Sequence, residues 1–326
     1  MTSDPVDRRT FVVDDDENDM RLDHFLAARC PDLSRSQIQK AVTDKTTLVA
    51  GKIRPSSYRV SSRQTVIFEP REPLPSEALP EDIPLQVLYR DEEILVLDKA
   101  VGMVVHPAPG HYTGTLVNAL LYHFKDLPGG DKLRPGIVHR LDKDTSGVMV
   151  VALTERAHRD LSDQLRDRTL GRTYQALAWG QWRTDTGLLT GQVSRHPTER
   201  QRMAVVPSGG RAAVTHYEVV EDYGFCQLSH VKLETGRTHQ IRVQFATTGH
   251  PVVGDRQYGD DARVKQVHPL DRPAALAMVG GAGRQMLHAW QLELRHPGTG
   301  ETLHFESPPP TDMESVLIGL RNHCPN

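Results

Sequence analysis

The stretch from Gly136 to Ala152, GIVHRLDKDTSGVMVVA, constrains the fold of this chain more than any other. It packs a basic pair (His139, Arg140), an acidic pair (Asp142, Asp144) and a hydroxyl pair (Thr145, Ser146) before Gly147, then runs into Val148, Met149, Val150 and Val151. A short unbroken apolar run of this kind reads as a buried strand. The strand therefore presents a charged loop, and loops anchored on rigid elements are where catalytic groups are usually held. The same residues would also serve as a plain polar turn closed by Gly147.

Charge divides the rest of the chain. Residues 21 to 64 hold nine cations against three anions, a net of +6, whereas residues 1 to 20 hold two cations against seven anions, a net of −5. A basic module behind an acidic leader suits a polyanion partner, because neutralised phosphates release counterions; a solvated charged face has the same composition. The three cysteines, Cys30, Cys226 and Cys324, are far apart and odd in number, which suggests neither a disulfide framework nor a zinc knuckle. No apolar run approaches the roughly 20 residues needed to span a bilayer, and the first residues are acidic. A cytoplasmic protein with no membrane partner is expected.

In the basic module, Leu22, Phe25 and Leu26 fall at helical spacing, and Ser34 with Gln37 forms a capping-box pattern that opens a second helix. Arg35, Gln39 and Lys40 would lie on or near its exposed side. Short strands follow at Leu48 to Ala50 and Val66 to Phe68. Two helices, a small sheet and the phrases RLDHFLA and PDLSRSQIQK resemble the αL RNA-binding module of the S-four ribosomal-protein type. The resemblance implies that Arg35 and Lys40 bind RNA. Ala50 stands where that family usually has asparagine, and Ser61 to Gln64 replaces its Gly-Asp turn. Prolines 70, 73, 75, 80 and 84 then break up an acidic stretch that reads as a linker. The expected organisation is an acidic leader (1–20), an RNA-binding domain (21–69), a proline-rich linker (70–84) and a catalytic domain (85–326).

The last region is rich in strands: Ile94 to Leu97, Arg172 to Trp179 with Tyr174, Ala176 and Ala178 on one face, Thr215 to Val220, Gln227 to Leu233, Leu287 to Leu294 and Glu301 to Phe305. Helices are expected over Thr115 to His123, after a Thr154 cap, from Gly236 to near Gly249, and at the C-terminus, where Thr311 and Glu314 suggest a capping box. Residues 260 to 285 show no clear period and read as an irregular insertion. This mixed order predicts an α+β domain with a mixed, largely antiparallel sheet.

Several chemistries find no motif here: there is no HExxH, no paired CxxC, no glycine-rich phosphate loop and no Gly-x-Ser-x-Gly elbow. A carboxylate chemistry remains, with Asp142 or Asp144 as nucleophile or base and Arg140 and Lys143 to keep it ionised. A carboxylate aimed at a sugar carbon cleaves glycosidic bonds, and an RNA-binding module makes a nucleoside the natural substrate.

The opening stretch resembles the signature of the RluA-type pseudouridine synthases. The resemblance continues through GMVVHPAPG (102–110), RTYQALAWG (172–180), RHPTERQRMAV (195–205), LETGRTHQIRV (233–243), GHPVVGD (249–255) and LHAW (287–290). The N-terminal module and the 195–205 segment look most like the D-type members, which act on large-subunit ribosomal RNA. The resemblance implies isomerisation of uridine with base flipping and without cofactor or metal. It implies that Asp142 is the essential aspartate, that Arg140 enters the space left by the flipped nucleotide, and that Tyr174 packs on the target base. Arg242 is implied as the basic partner of Asp142. Asp144, Thr145 and Ser146 are expected to support the loop by side-chain to backbone bonds, and His139 and His239 to be structural. The expected partner is large-subunit ribosomal RNA or a pre-ribosomal particle, bound by a monomer. A nucleoside glycosidase, with Asp144 as second carboxylate, and a non-catalytic ribosome-assembly factor are the rival readings.

Overall fold

A computed structural model describes residues 8–69, 77–108, 111–129, 133–199 and 202–323. The chain divides into two units, Met1–Pro75 and Ser76–Asn326. In the first, β1 (Arg9–Val12), α1 (Leu22–Arg29), α2 (Arg35–Thr43), β2 (Thr47–Val49), β3 (Lys52–Ile53) and β4 (Thr65–Phe68) build a sheet of order β1-β4-β2-β3. Ser34 caps α2 as its spacing predicts: the Ser34 backbone N–H donates to Gln37 Oε1 at 2.7 Å and the Gln37 N–H donates to Ser34 Oγ at 3.4 Å. Phe25, Leu26, Ile38 and Phe68 form the core, and Arg35 and Lys40 are exposed.

The acidic stretch read as a leader is partly structural. Strand β1 lies within it, paired along β4 with Phe11 opposite Val66, and Val13 is buried. Its carboxylates also have partners, Asp14 and Glu17 on Arg29 and Asp19 on Arg59. Ala50 and Arg63 both adopt left-handed backbone conformations, φ 47° and 67°, which L side chains other than Asn and Asp rarely take. The first half of the linker lies outside the described residues. Its second half is tied down: Asn118 Nδ2 donates to the Leu79 carbonyl at 2.7 Å, and the Glu81 carboxylate accepts from the Gly114 N–H.

The second unit is built on one ten-stranded sheet. In chain order its elements are β5 (Gln86–Arg90), β6 (Ile94–Lys99), α3 (Leu116–His123), β7 (Ser146–Ala152), α4 (Glu155–Arg166), β8 (Gly171–Trp179), β9 (Thr186–Arg195), β10 (Met203–Val206), β11 (Arg211–Asp222), β12 (Cys226–Leu233), α5 (Gln240–Thr247), α6 (Arg272–Gly281), β13 (Leu287–Arg295), β14 (Thr302–Glu306) and α7 (Thr311–His323). The strand order is β10-β9-β11-β12-β8-β13-β7-β6-β5, with β14 on β13, and only the β7–β13 pairing is parallel among the described residues. The fold is α+β with a mixed, mostly antiparallel sheet. Strand β7 is buried along its whole length, which explains its unbroken apolar run. Met149 and Val151 face α3 and α5, while Val148 and Val150 face α4.

Three readings need correction, and one hairpin had none. Residues 260 to 285 are not irregular: a 3-10 turn (Asp261–Gln266) and α6 occupy most of them, held by Ala275 and Met278 in a core shared with α7. Two buried side chains among small residues are too few to show a helical period in the sequence. Helix α5 starts at Gln240 rather than Gly236, because Gln240 Oε1 accepts from the Arg237 N–H and Thr235 Oγ1 and holds the preceding segment as a loop. Thr311 is the first residue of α7, not its cap. The long hairpin of β9 and β10 carries half-exposed, small and polar residues and gave no strand signal. No helix is long and apolar enough to cross a membrane among the described residues.

Candidate active site

The opening stretch forms the wall of a cavity of about 350 Å³. Backbone geometry shapes this wall at two glycines. Gly136 (φ 72°) and Gly147 (φ 113°) both need the left-handed region, and a Cβ at Gly147 would collide with the Ala289 carbonyl where β7 pairs with β13. Asp142, Arg140, Tyr174 and Arg242 all line this cavity, so the structure brings together four side chains that span a hundred residues of sequence. Arg35 and Lys40 belong to the other unit.

Asp142 sits on the loop with its side chain 22% exposed. Arg242 Nη1 donates to its Oδ2 at 2.9 Å. The rest of the Arg242 fork meets Asp255, Nε to Oδ2 at 2.6 Å and Nη2 to Oδ1 at 2.9 Å, and the Asp255 side chain is fully buried. Burial alone would lower the Arg242 pKa, but Asp255 and Asp142 together hold it above the ordinary range. Burial likewise opposes ionisation of Asp255, and the Arg242 guanidinium nevertheless keeps its pKa below the usual carboxylate range. Asp255 also accepts from the Gln257 and Tyr258 N–H groups, which locks the carboxylate in place. Arg242 is thus a buried bridge between the carboxylates of Asp255 and Asp142.

Arg140 and Lys143 do not pair with Asp142. Arg140 Nη2 donates to Thr238 Oγ1 at 2.7 Å, and Lys143 is exposed. Residues adjacent in a tight turn point in different directions, so proximity in sequence did not become proximity of charge. His239 takes a left-handed conformation (φ 54°), donates or accepts at Nδ1 with Tyr258 Oη at 2.8 Å, and places Nε2 3.8 Å from Asp142 Oδ1. Burial lowers its pKa against the pull of Asp142. It belongs to the site, although its place at a loop–helix junction gave no sign of that. Tyr174, on β8, is 6% exposed, and burial pushes its phenol upward, so it stays neutral near pH 7.

The loop is braced from outside itself. Lys99 is buried and its ammonium donates to the carbonyls of Ala100, Met103 and Lys143 at 2.8, 2.9 and 3.1 Å. Burial lowers its pKa to about 7 despite the attraction of Asp142 and Asp144. Arg284, bidentate on Asp312 of α7, donates Nη1 to the Asp144 carbonyl at 2.9 Å, and Ser146 Oγ meets His288 Nδ1 at 2.9 Å. The support expected from local bonds of Asp144, Thr145 and Ser146 is instead mostly tertiary, because a buried loop end meets neighbouring strands before it meets itself. Lys99 and Arg284 carried no sequence signal, and Asp255 closes the GHPVVGD segment without a spacing that ties it to Asp142. Cys30 and Cys226 are buried, and no group of three His, Cys, Asp or Glu side chains is placed to hold a metal among the described residues.

An aspartate held by a buried arginine lines one cavity with a buried tyrosine, on a mixed sheet, an arrangement suited to carboxylate chemistry. Comparison with known proteins agrees. The family model for RNA pseudouridylate synthase matches residues 93–247. The chain is 44% identical to the ribosomal large subunit pseudouridine synthase D of Pseudomonas aeruginosa, over 92% of this chain and 92% of that protein. It is 43% identical to an uncharacterized RNA pseudouridine synthase of Aquifex aeolicus, over 97% and 98%. Human RNA pseudouridylate synthase domain containing 1 shares the fold, with a TM-score of 0.53 and 24% identity over 74% of this chain and 96% of that one. The chain belongs to the RNA pseudouridine synthase family and is an isomerase that converts uridine to pseudouridine in RNA.

Proposed function

We propose that this synthase acts on large-subunit ribosomal RNA, with Asp142 as its essential carboxylate. The substrate assignment rests on the names of relatives such as that of Pseudomonas aeruginosa and on the D-type motifs. The observation that carries the catalytic assignment is the Asp142–Arg242 contact at 2.9 Å in a cavity where Asp142 is the only carboxylate among the described lining residues. In the reaction, the bond from uracil N1 to the ribose breaks, the base turns and C5 bonds to the sugar. The C5 proton is lost and N1 gains one, so mass is unchanged.

Asp142 attacks the anomeric carbon or removes a sugar proton, and Arg242 orients it. Tyr174 packs on the base as a neutral phenol, since burial disfavours the phenolate. Arg140 fills the space left by the extruded nucleotide, which offsets lost stacking. Arg35 and Lys40 on α2 bind phosphate, in the manner of an αL module. Asp144 is absent from the described cavity lining, which disfavours a glycosidase that needs a second carboxylate to activate water. The test is ribosomal RNA tritiated at uracil C5. Wild type should release tritium and form a mass-neutral product, and Asp142→Asn should abolish both. Free uracil would support the glycosidase instead, and no release from any ribosomal RNA fragment would support the assembly role.

A further inference from the structure

We propose that Arg172 and His139 form a phosphate subsite inside the cavity, which grips the backbone phosphodiester beside the uridine being isomerised. The proposal rests on the reading that RNA occupies this cavity. Arg172 lies on β8 two residues before Tyr174, so the two share a face about 7 Å apart along the strand. It is 9% exposed and lines the cavity. Its Nε is sealed from solvent without an acceptor, and no carboxylate or carbonyl pairs with its guanidinium among the described residues. The other two buried arginines among the described residues are each saturated, Arg242 by Asp142 and Asp255, Arg284 by Asp312 and three carbonyls. A buried cation without a counter-ion opposes folding. Such a group is a candidate for a ligand that supplies the missing charge.

His139 adds a second donor. The Val150 N–H donates to its Nε2 at 3.2 Å, which leaves the ring proton of the neutral imidazole on Nδ1. The ring is neutral because burial, reinforced by the Arg172 charge, lowers its pKa to about 3. Nδ1 is likewise sealed from solvent and has no acceptor. Both residues line the same cavity. Gly236 leaves them room: a Cβ there would stand 2.8 Å from Arg172 Nη1. The described lining holds five arginines against the single carboxylate of Asp142, so the cavity favours an anion. Uracil oxygens are neutral acceptors, whereas a phosphodiester brings the full charge that Arg172 lacks and suits a guanidinium fork.

The experiment uses a large-subunit ribosomal RNA fragment that wild type converts. It is compared with the same RNA carrying a methylphosphonate in place of either phosphodiester flanking the converted uridine. Arg172→Met should raise KM roughly 10- to 100-fold, the loss of one charge-assisted bond, with kcat little changed. The slope of log affinity against log salt should become shallower by about 0.7. Arg172→Lys should recover part of the affinity. The unfolding midpoint of Arg172→Met should not fall, because an unpaired buried charge has been removed. One methylphosphonate should weaken wild type by a similar factor and cost the variant nothing further. Unchanged KM and salt slope would overturn the subsite, as would additive losses or a fall in kcat alone. Asp142→Asn is the companion: turnover lost with affinity and salt slope intact supports the catalytic reading by itself, so the two assignments fail separately.

Discussion

In the N-terminal unit, Arg9 meets Asp32, Arg29 meets Asp14 and Glu17, and Arg59 meets Asp19, with 26%, 34% and 62% of the arginine side chains exposed. In the second unit, Arg242 in the cavity and Arg284 behind the loop meet their carboxylates with 8% and 5% of their side chains exposed, and Arg172 meets none. The chemistry of the pairs is the same, but the solvent differs. At the surface water competes for each charge and salt screens it, so a pair adds little. In the interior each partner is needed because the alternative is a bare charge in a poor solvent. The acidic stretch ahead of α1 therefore tempers the positive charge of its own unit, while the paired buried arginines of the second unit fix geometry.

The sharpest way to break this contrast is at Asp255. Asp255→Ala removes the buried one of the two carboxylates that hold Arg242 and should cost about 3–5 kcal/mol of stability together with most turnover, read by urea unfolding and tritium release. Replacing both partners, Asp255→Leu with Arg242→Met, should recover much of the stability and none of the activity. Recovery of turnover in the double variant would show that the bridge does not act through Asp142.

A pH titration sharpens the comparison at intermediate scale. The Lys99 pKa falls from 10.5 to about 7 on burial. Below pH 7 the lysine is charged in both folded and unfolded states and the burial penalty is complete. Between about pH 7 and 10.5 the unfolded chain binds a proton that the folded one lacks, so this group makes stability rise with pH. Lys99→Met should flatten that rise, seen as a smaller difference between urea unfolding at about pH 7 and about pH 10. Equal slopes in wild type and variant would remove Lys99 as the source.

The smallest effect belongs to the surface. Arg29→Gln, despite losing two carboxylate contacts, should leave the unfolding midpoint unchanged within error at physiological salt, and any difference should fade as salt rises. A clear loss that persists in high salt would mean that this pair behaves like those in the cavity.

Much of the architecture was legible because local rules and tertiary needs agree. Strand β7 is continuously apolar and buried on both faces, Ser34 and Gln37 form the cap that their spacing requires, and Thr154 Oγ1 accepts from the Ala157 N–H at 3.1 Å. The hairpin of β9 and β10 and helix α6 were not legible, since each buries too few large side chains to impose a period. At the site, motif order pointed to Asp142, Tyr174, Arg140 and Arg242, and the structure places them around one cavity. Asp255, His239 and Arg172 stayed hidden because their importance lies in who surrounds them.

The chain alone determined the family, the α+β class and the identity of the loop that carries Asp142. Residue type, period and motif order are properties of the string, and they suffice for that. Only the tertiary structure decided which arginine Asp142 meets, that Asp255 stands behind it, and that Arg172 is left without a partner. Those are matters of solvent exclusion and direction, which depend on every neighbour at once and on no single stretch of sequence.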